Sequence, residues 1–204
     1  MVNIKKDQNT EEKILSAARQ VFMEKGLDGA RMQDIADKAG INKALLHYYF
    51  RSKDKLFEVI FTEAATSFIP RIAGIMNSDI PLFDKIKTFV STYIGMLMEN
   101  PFLPLFILNE VHRQPQSFIK KLFGSNHPPI EKLLVHVQQE IKAGNIKPIP
   151  PIQLVVNMVS MCIFPFVAKP MIQWVSKMND TQFKQFMELR KTEVATFIID
   201  SIRK

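Results

Sequence analysis

The chain has 204 residues, enough for a real core in one large domain or in one small and one medium domain. Its 27 Lys and Arg against 20 Asp and Glu leave a formal net charge of +7, which suits nucleic acid or an anionic membrane surface but is also met in ordinary soluble proteins. A single cysteine, Cys162, excludes an intrachain disulfide, and with no apolar stretch near the N-terminus a secretory signal is not expected, so the expected localisation is cytoplasmic.

Little Gly, few strand signals and long apolar runs at helical spacing predict an all-α chain. The first helix is expected from Thr10, an N-cap type, with Glu11 and Glu12 in the first turn where the helix dipole favours acids. Ile14, Ala18, Val21 and Phe22 then form one apolar stripe, and Gly26 is the expected stop. A short helix follows over 32–39 with Ile35, Ala36 and Ala39 on one face, ended by Gly40. Asn42 caps a second short helix that runs from Lys43 to about Phe50. Two short helices joined by a Gly-containing turn are the outline of a helix-turn-helix.

Ser52 is the cap expected for a longer helix reaching about Met76, kinked or broken at Pro70. Further helices are predicted near 81–99, 101–112, 115–123, 128–144, 151–177 and 180–203. Pro81, Pro101, Pro115, Pro128–Pro129 and Pro150–Pro151 mark their starts, where a missing N–H costs nothing. Gly144–Asn145 reads as a stop, and Pro165 and Pro170 as kinks or breaks within 151–177. Residues 152–168 are the one candidate membrane span, but they fall short of the roughly 20 residues needed and contain Gln153, Asn157 and Pro165. A buried bundle helix is expected there, and no membrane partner.

The helix from Lys43 has two faces. Leu46 and Phe50, four apart, can pack on Ile35, Ala36 and Ala39 and on the first helix. The opposite face shows Lys43, Ala44, His47 and Tyr48, which is wrong for a core and suits a major groove: Lys reaches guanine acceptors and Ala approaches a thymine methyl. Tyr49, Arg51, Lys53 and Lys55 lie near the helix end, where hydroxyls and cations hold phosphates. Over 38–55 there are five cations against one acid, Asp54.

The stretch TEEKILSAARQVFMEKGLDGARMQDIADKAGINKALLHYYFRSKDKLFEVI closely resembles the N-terminal domain of the TetR/AcrR family of bacterial transcriptional regulators. The frame that carries the resemblance is I-L-x-A-A-x-x-V-F, K-G, D-I-A-x-x-A-G-I and L-x-x-Y-F-x-S-K-x-x-L. The rest of the chain matches only in length and helical character. The resemblance implies a homodimer whose subunits each place the second short helix in the major groove of a palindromic double-stranded DNA operator. By position, it implies that Gln33, Lys43, Ala44 and His47 face bases, and that Arg31, Leu45, Tyr48, Tyr49 and Lys53 touch phosphates or the groove wall. Asn42, the cap, counts with these DNA-binding residues. Ala30 and Arg31 stand where family members often carry Thr or Ser; Ala44 and His47 stand where many have Gly and Tyr. These departures suggest an operator of unusual sequence.

The expected fold is therefore an N-terminal three-helix helix-turn-helix DNA-binding domain, 1–51, followed by a larger helical-bundle ligand-binding and dimerisation domain, 52–204. Phe and Met crowd 101–115 and 157–166, as in apolar pockets with a few polar groups. The expected lining is drawn from Phe89, Tyr93, Phe102, Phe106, Met158, Met161 and Phe164, with Asn109 or His112 orienting a small apolar or amphipathic effector. The last two helices are expected to form the dimer seam, since Phe183, Phe186, Met187, Val194, Phe197 and Ile198 exceed one intrachain face, and Arg190 within that stripe should snorkel or pair with an acid. Phosphate-binding Gly loops, nucleophile elbows and His-Glu zinc motifs are missing, and His112, His127 and His136 are scattered, so no enzyme, cofactor or metal site is expected. Cys162, in an apolar run without a neighbouring cation, reads as an inert buried thiol. The expected function is a ligand-responsive homodimeric repressor; the alternative is a DNA-binding regulator controlled by a protein partner.

Overall fold

The protein is described by a computed structural model covering residues 2–113, 115–123 and 130–204. The helix start expected at Pro128–Pro129, and His127, lie outside the described residues. Among those residues the chain is all-α: α1 (Val2–Gly29), α2 (Met32–Ala39), α3 (Lys43–Tyr49), α4 (Lys53–Asn77), α5 (Leu82–Glu99), α6 (Leu103–Arg113), α7 (Pro115–Phe123), α8 (Glu131–Lys142), α9 (Pro151–Val167), α10 (Lys169–Ser176) and α11 (Asp180–Ile202). They form two compact units, residues 1–66 and 67–204. The division expected at 51/52 follows a helix start, whereas packing divides the chain inside α4.

In the first unit, α1 begins at Val2, so Thr10 is interior and not a cap: residues 2–9 hold neither Gly nor Pro, and the helix runs through them. Gly26 (φ 68°, ψ 174°) interrupts α1 with a backbone conformation that needs no Cβ, before the last turn to Gly29. Ile14, Ala18, Val21 and Phe22 are buried as the stripe requires, and Phe22 meets Phe57 edge-on at 5.1 Å. Leu56, Phe57, Ile60 and Phe61 bury one face of the first turns of α4 in this core. The Ser52 hydroxyl accepts from the Lys55 N–H at 3.2 Å, the expected cap. α4 then runs through Pro70 to Asn77 without a break, because a proline removes one ladder bond while the flanking turns keep theirs. By length and composition α4 could cross a membrane, as could α9 and α10 taken as one bent pair. Of these, α9 buries Leu154, Val155, Met158, Cys162 and Phe166 in the second unit, whereas α10 buries none of its side chains and α4 buries chiefly the residues of its first turns.

In that unit α11 lies along α5, with α8 and α9 completing the layer around Phe89, Ile94, Leu133, Val137 and Met187. The segment 151–177 is two helices that break at Ala168 and differ in direction by 71°. Pro165 stays inside α9, whereas Pro170 sits in the first turn of α10, where its missing N–H is harmless. Asn179 and Gln182 cap α11 reciprocally, each side chain accepting the other's backbone N–H at 2.9 Å. Among the described residues one charged side chain lies in the core: the Lys85 ammonium donates to the Met76 carbonyl at 3.2 Å and lies 3.2 Å from His136 Nδ1. Its burial lowers the amine's pKa.

Candidate nucleic-acid interface

The site is built by the turn between α2 and α3. Gly40 (φ 66°, ψ 33°) takes the left-handed conformation that ends α2, and its N–H reaches the carbonyls there. Two residues on, Asn42 Oδ1 accepts the Leu45 N–H at 2.8 Å and starts α3. Leu46 is fully buried and Phe50 nearly so, which fixes the rotation of this short helix about its axis. Lys43, Ala44, Leu45, His47 and Tyr48 are consequently exposed on the other side, and Tyr49 is half-buried. Tyr48 is 80 % exposed, its ring edge-on to Tyr49 at 5.5 Å. His47 Nδ1 lies 3.3 Å from the Arg51 carbonyl oxygen. On α2, Gln33 is exposed and donates to Asp37 at 2.7 Å; Arg31, before α2, is exposed too.

The five local cations divide. Lys38 pairs with Glu24, and Lys55 with Glu58 at 2.9 Å. Lys53, expected at a phosphate, is half-buried, and its ammonium donates to the carbonyls of Leu27 (2.9 Å), Asp28 (3.1 Å) and Ala30 (3.4 Å). An ammonium has three donors, so these carbonyls, at the end of α1 and just after it, occupy all of them. Lys43 and Arg51 have no ion pair among the described residues. Sequence reasoning could see the charge but not this division, because the partners of Lys53 are 23 to 26 residues away.

The residues expected around an effector have differing surroundings. Phe89 and Met158 are fully buried in the core, and Phe102 is buried. Tyr93 packs against Phe89 at 5.2 Å and Phe68 at 5.0 Å, and burial raises its phenol pKa. Phe106 sits edge-on to Phe118 at 6.1 Å. Asn109, His112 and Phe164 are exposed. Met161 lines an open cleft of ≈ 310 Å³, with Arg190, Glu193, Val194 and Phe197. Arg190 neither snorkels free nor pairs with an acid: it donates to the Met161 carbonyl at 2.9 Å and lies 5.5 Å over the Phe186 ring. Of the expected seam, Phe183, Met187, Val194 and Ile198 are used by the unit's own core, while Phe197 is 63 % exposed. Further exposed apolar side chains include Trp174 (83 % exposed), Val175 and Met171 on α10 and Leu189 on α11.

Residues 14–60 match the family described as bacterial regulatory proteins, tetR family. These residues form a tetR-family domain. The matched residues run from the α1 stripe through α3 to the buried start of α4. It is 25% identical over 142 residues to the HTH-type transcriptional regulator RutR of Escherichia coli K12, an alignment covering 70% of this chain and 66% of RutR. It is 41% identical over 68 residues to the HTH-type regulator YvdT of Bacillus subtilis, 33% of this chain and 35% of that protein. Its fold is that of the transcriptional regulator FadR from Bacillus subtilis, solved in complex with stearoyl-CoA: TM-score 0.60, 16% identity, 92% of this chain and 97% of the other covered.

Proposed function

We propose that the protein is a DNA-binding transcriptional repressor, a homodimer that holds a palindromic operator through α3 and lets go when a small, mostly apolar effector binds. The observation that carries this reading is the separation of faces on α3: Leu46 and Phe50 closed into the core, and Lys43, Ala44, His47 and Tyr48 in solvent beside the capped turn. A cation, a small residue and two polar rings on a helix held at one rotation are what base edges and phosphates of a major groove can meet. The exposed apolar residues Trp174, Val175 and Phe197 support pairing with a second copy, since they offer aromatic and aliphatic area that a partner could bury. Paired recognition helices reach successive half-sites when they stand about 34–36 Å apart. An effector releases DNA only so far as it binds the released state better. The stearoyl-CoA held by the FadR neighbour supports an apolar or amphipathic class of effector. The compartment that follows is the cytoplasm.

Selection of bound duplexes from a randomised library tests the reading. Enrichment of an inverted repeat is expected, and recovery of no sequence above the input overturns it.

A further inference from the structure

We propose that His47 is a specificity-determining residue that reads the exocyclic amino group of adenine or cytosine, through an Nε2 held as a hydrogen-bond acceptor by the protein's own backbone. This rests on the DNA-binding reading above and goes beyond it, by assigning the polarity of one contact. The 3.3 Å partner of His47 Nδ1 is the carbonyl oxygen of Arg51. A carbonyl has no hydrogen to give, so the hydrogen of this bond is on Nδ1. A neutral imidazole has only one N–H, and Nε2 is therefore bare and accepts.

The carbonyl is placed by the fold. α3 ends at Tyr49, Phe50 is extended (φ −135°, ψ 109°) and buried, and Arg51 follows at the foot of the helix below the imidazole. The tautomer is thus set before any DNA arrives. His47 lies one turn after Lys43 and three residues after Ala44, exposed on the same face. The Lys43 ammonium only donates and suits guanine O6 and N7. The two residues put opposite demands on successive parts of the groove, an acceptor at Lys43 and a donor at His47. In the major groove the donors are the adenine N6 and cytosine N4 amino groups.

The test has two steps, both with the full chain. Selection with the unaltered protein and with His47→Ala first finds the base pair whose preference depends on residue 47. Single groups are then removed at that pair in the selected operator: the amino group, by purine for adenine or 2-pyrimidinone for cytosine, and separately the purine N7, by the 7-deaza analogue. Removing the amino group should weaken the unaltered protein on the order of tenfold and leave His47→Ala unchanged; removing N7 should affect both alike. A His47-dependent loss on removing N7 and not the amino group overturns the proposal, as does an operator in which no base pair responds to residue 47. A protein that enriches no sequence at all overturns instead the DNA-binding reading beneath it.

Discussion

The two units are both bundles of helices, but they leave opposite things in water. The first closes Leu46 and Phe50 and exposes Lys43, His47 and Tyr48 on a seven-residue helix. The second buries Phe183, Met187, Val194 and Ile198 on one side of α11, leaves Phe197 and Leu189 exposed on other sides of it, and leaves Trp174 and Val175 exposed on α10. One surface offers donors, acceptors and a cation, the terms on which a charged polymer is held. The other offers apolar area whose value is realised only when water leaves it. The difference teaches that a helix apolar on more than one side, such as α11, has more to bury than its own unit covers, whereas α3 has one apolar side and that side is satisfied.

The comparison breaks first if α3 does not depend on its buried side. Leu46→Ala should destabilise the first unit by about 2–5 kcal/mol, through lost burial and the cavity left behind, and should abolish DNA binding at temperatures where the second unit still melts normally. Calorimetry of the full chain checks this; an unshifted transition would mean that Leu46 does not hold the helix. The second unit is challenged by Trp174→Ser combined with Phe197→Ser. Each truncated aromatic should weaken self-association by about 2 kcal/mol or more and leave the isolated fold near its original stability, because neither ring belongs to the core. Sedimentation at micromolar protein should show a dimer become a monomer; an unchanged dimer would place the seam elsewhere.

Lys53 sharpens the comparison from inside the first unit. Lys53→Met removes a charged donor from three carbonyls and should cost about 1.5–3 kcal/mol in the free protein, with the salt slope of DNA binding unaltered. A slope smaller by about one and an unchanged melting temperature would restore it to a phosphate. Lys43→Ala should do the reverse, leaving the melt alone and costing about 1–3 kcal/mol at the cognate site with relaxed preference at one base pair. Titration of cognate and scrambled duplexes separates the two. The smallest effect is expected at Cys162. Burial pushes its thiol up to about 12, against a weaker opposing pull from Arg190. The native protein should therefore resist thiol reagents at neutral pH and react once denatured. Because the folded pKa is raised, the stability that the neutral thiol contributes is complete below pH 9.0 and is lost as pH rises towards about 12. Rapid native labelling would show the thiol to be open to water.

Much of the first unit was legible because its signals are local. Gly40, Asn42 and Ser52 act on backbone groups within four residues, so α2, α3 and the start of α4 stand where those residues put them. The division of α3 into closed and open faces follows from a spacing of four between Leu46 and Phe50. Thr10 shows the limit of such signals, since a cap-type residue has no effect where the preceding residues are themselves helical. What the tertiary structure alone decided depends on partners far along the chain. Lys53 reaches carbonyls more than 20 residues back, and Lys85 meets His136 across 51 residues. Arg190 takes a carbonyl of α9 in place of an acid. The apolar residues of α11 and α10 are alike in sequence, and only the packing of α5 and α9 separates Met187, which is covered, from Phe197 and Trp174, which are not. Helix caps and periods are set by the backbone within a turn or two, whereas burial is a property of whatever packs opposite, and a residue's neighbours in sequence do not name it.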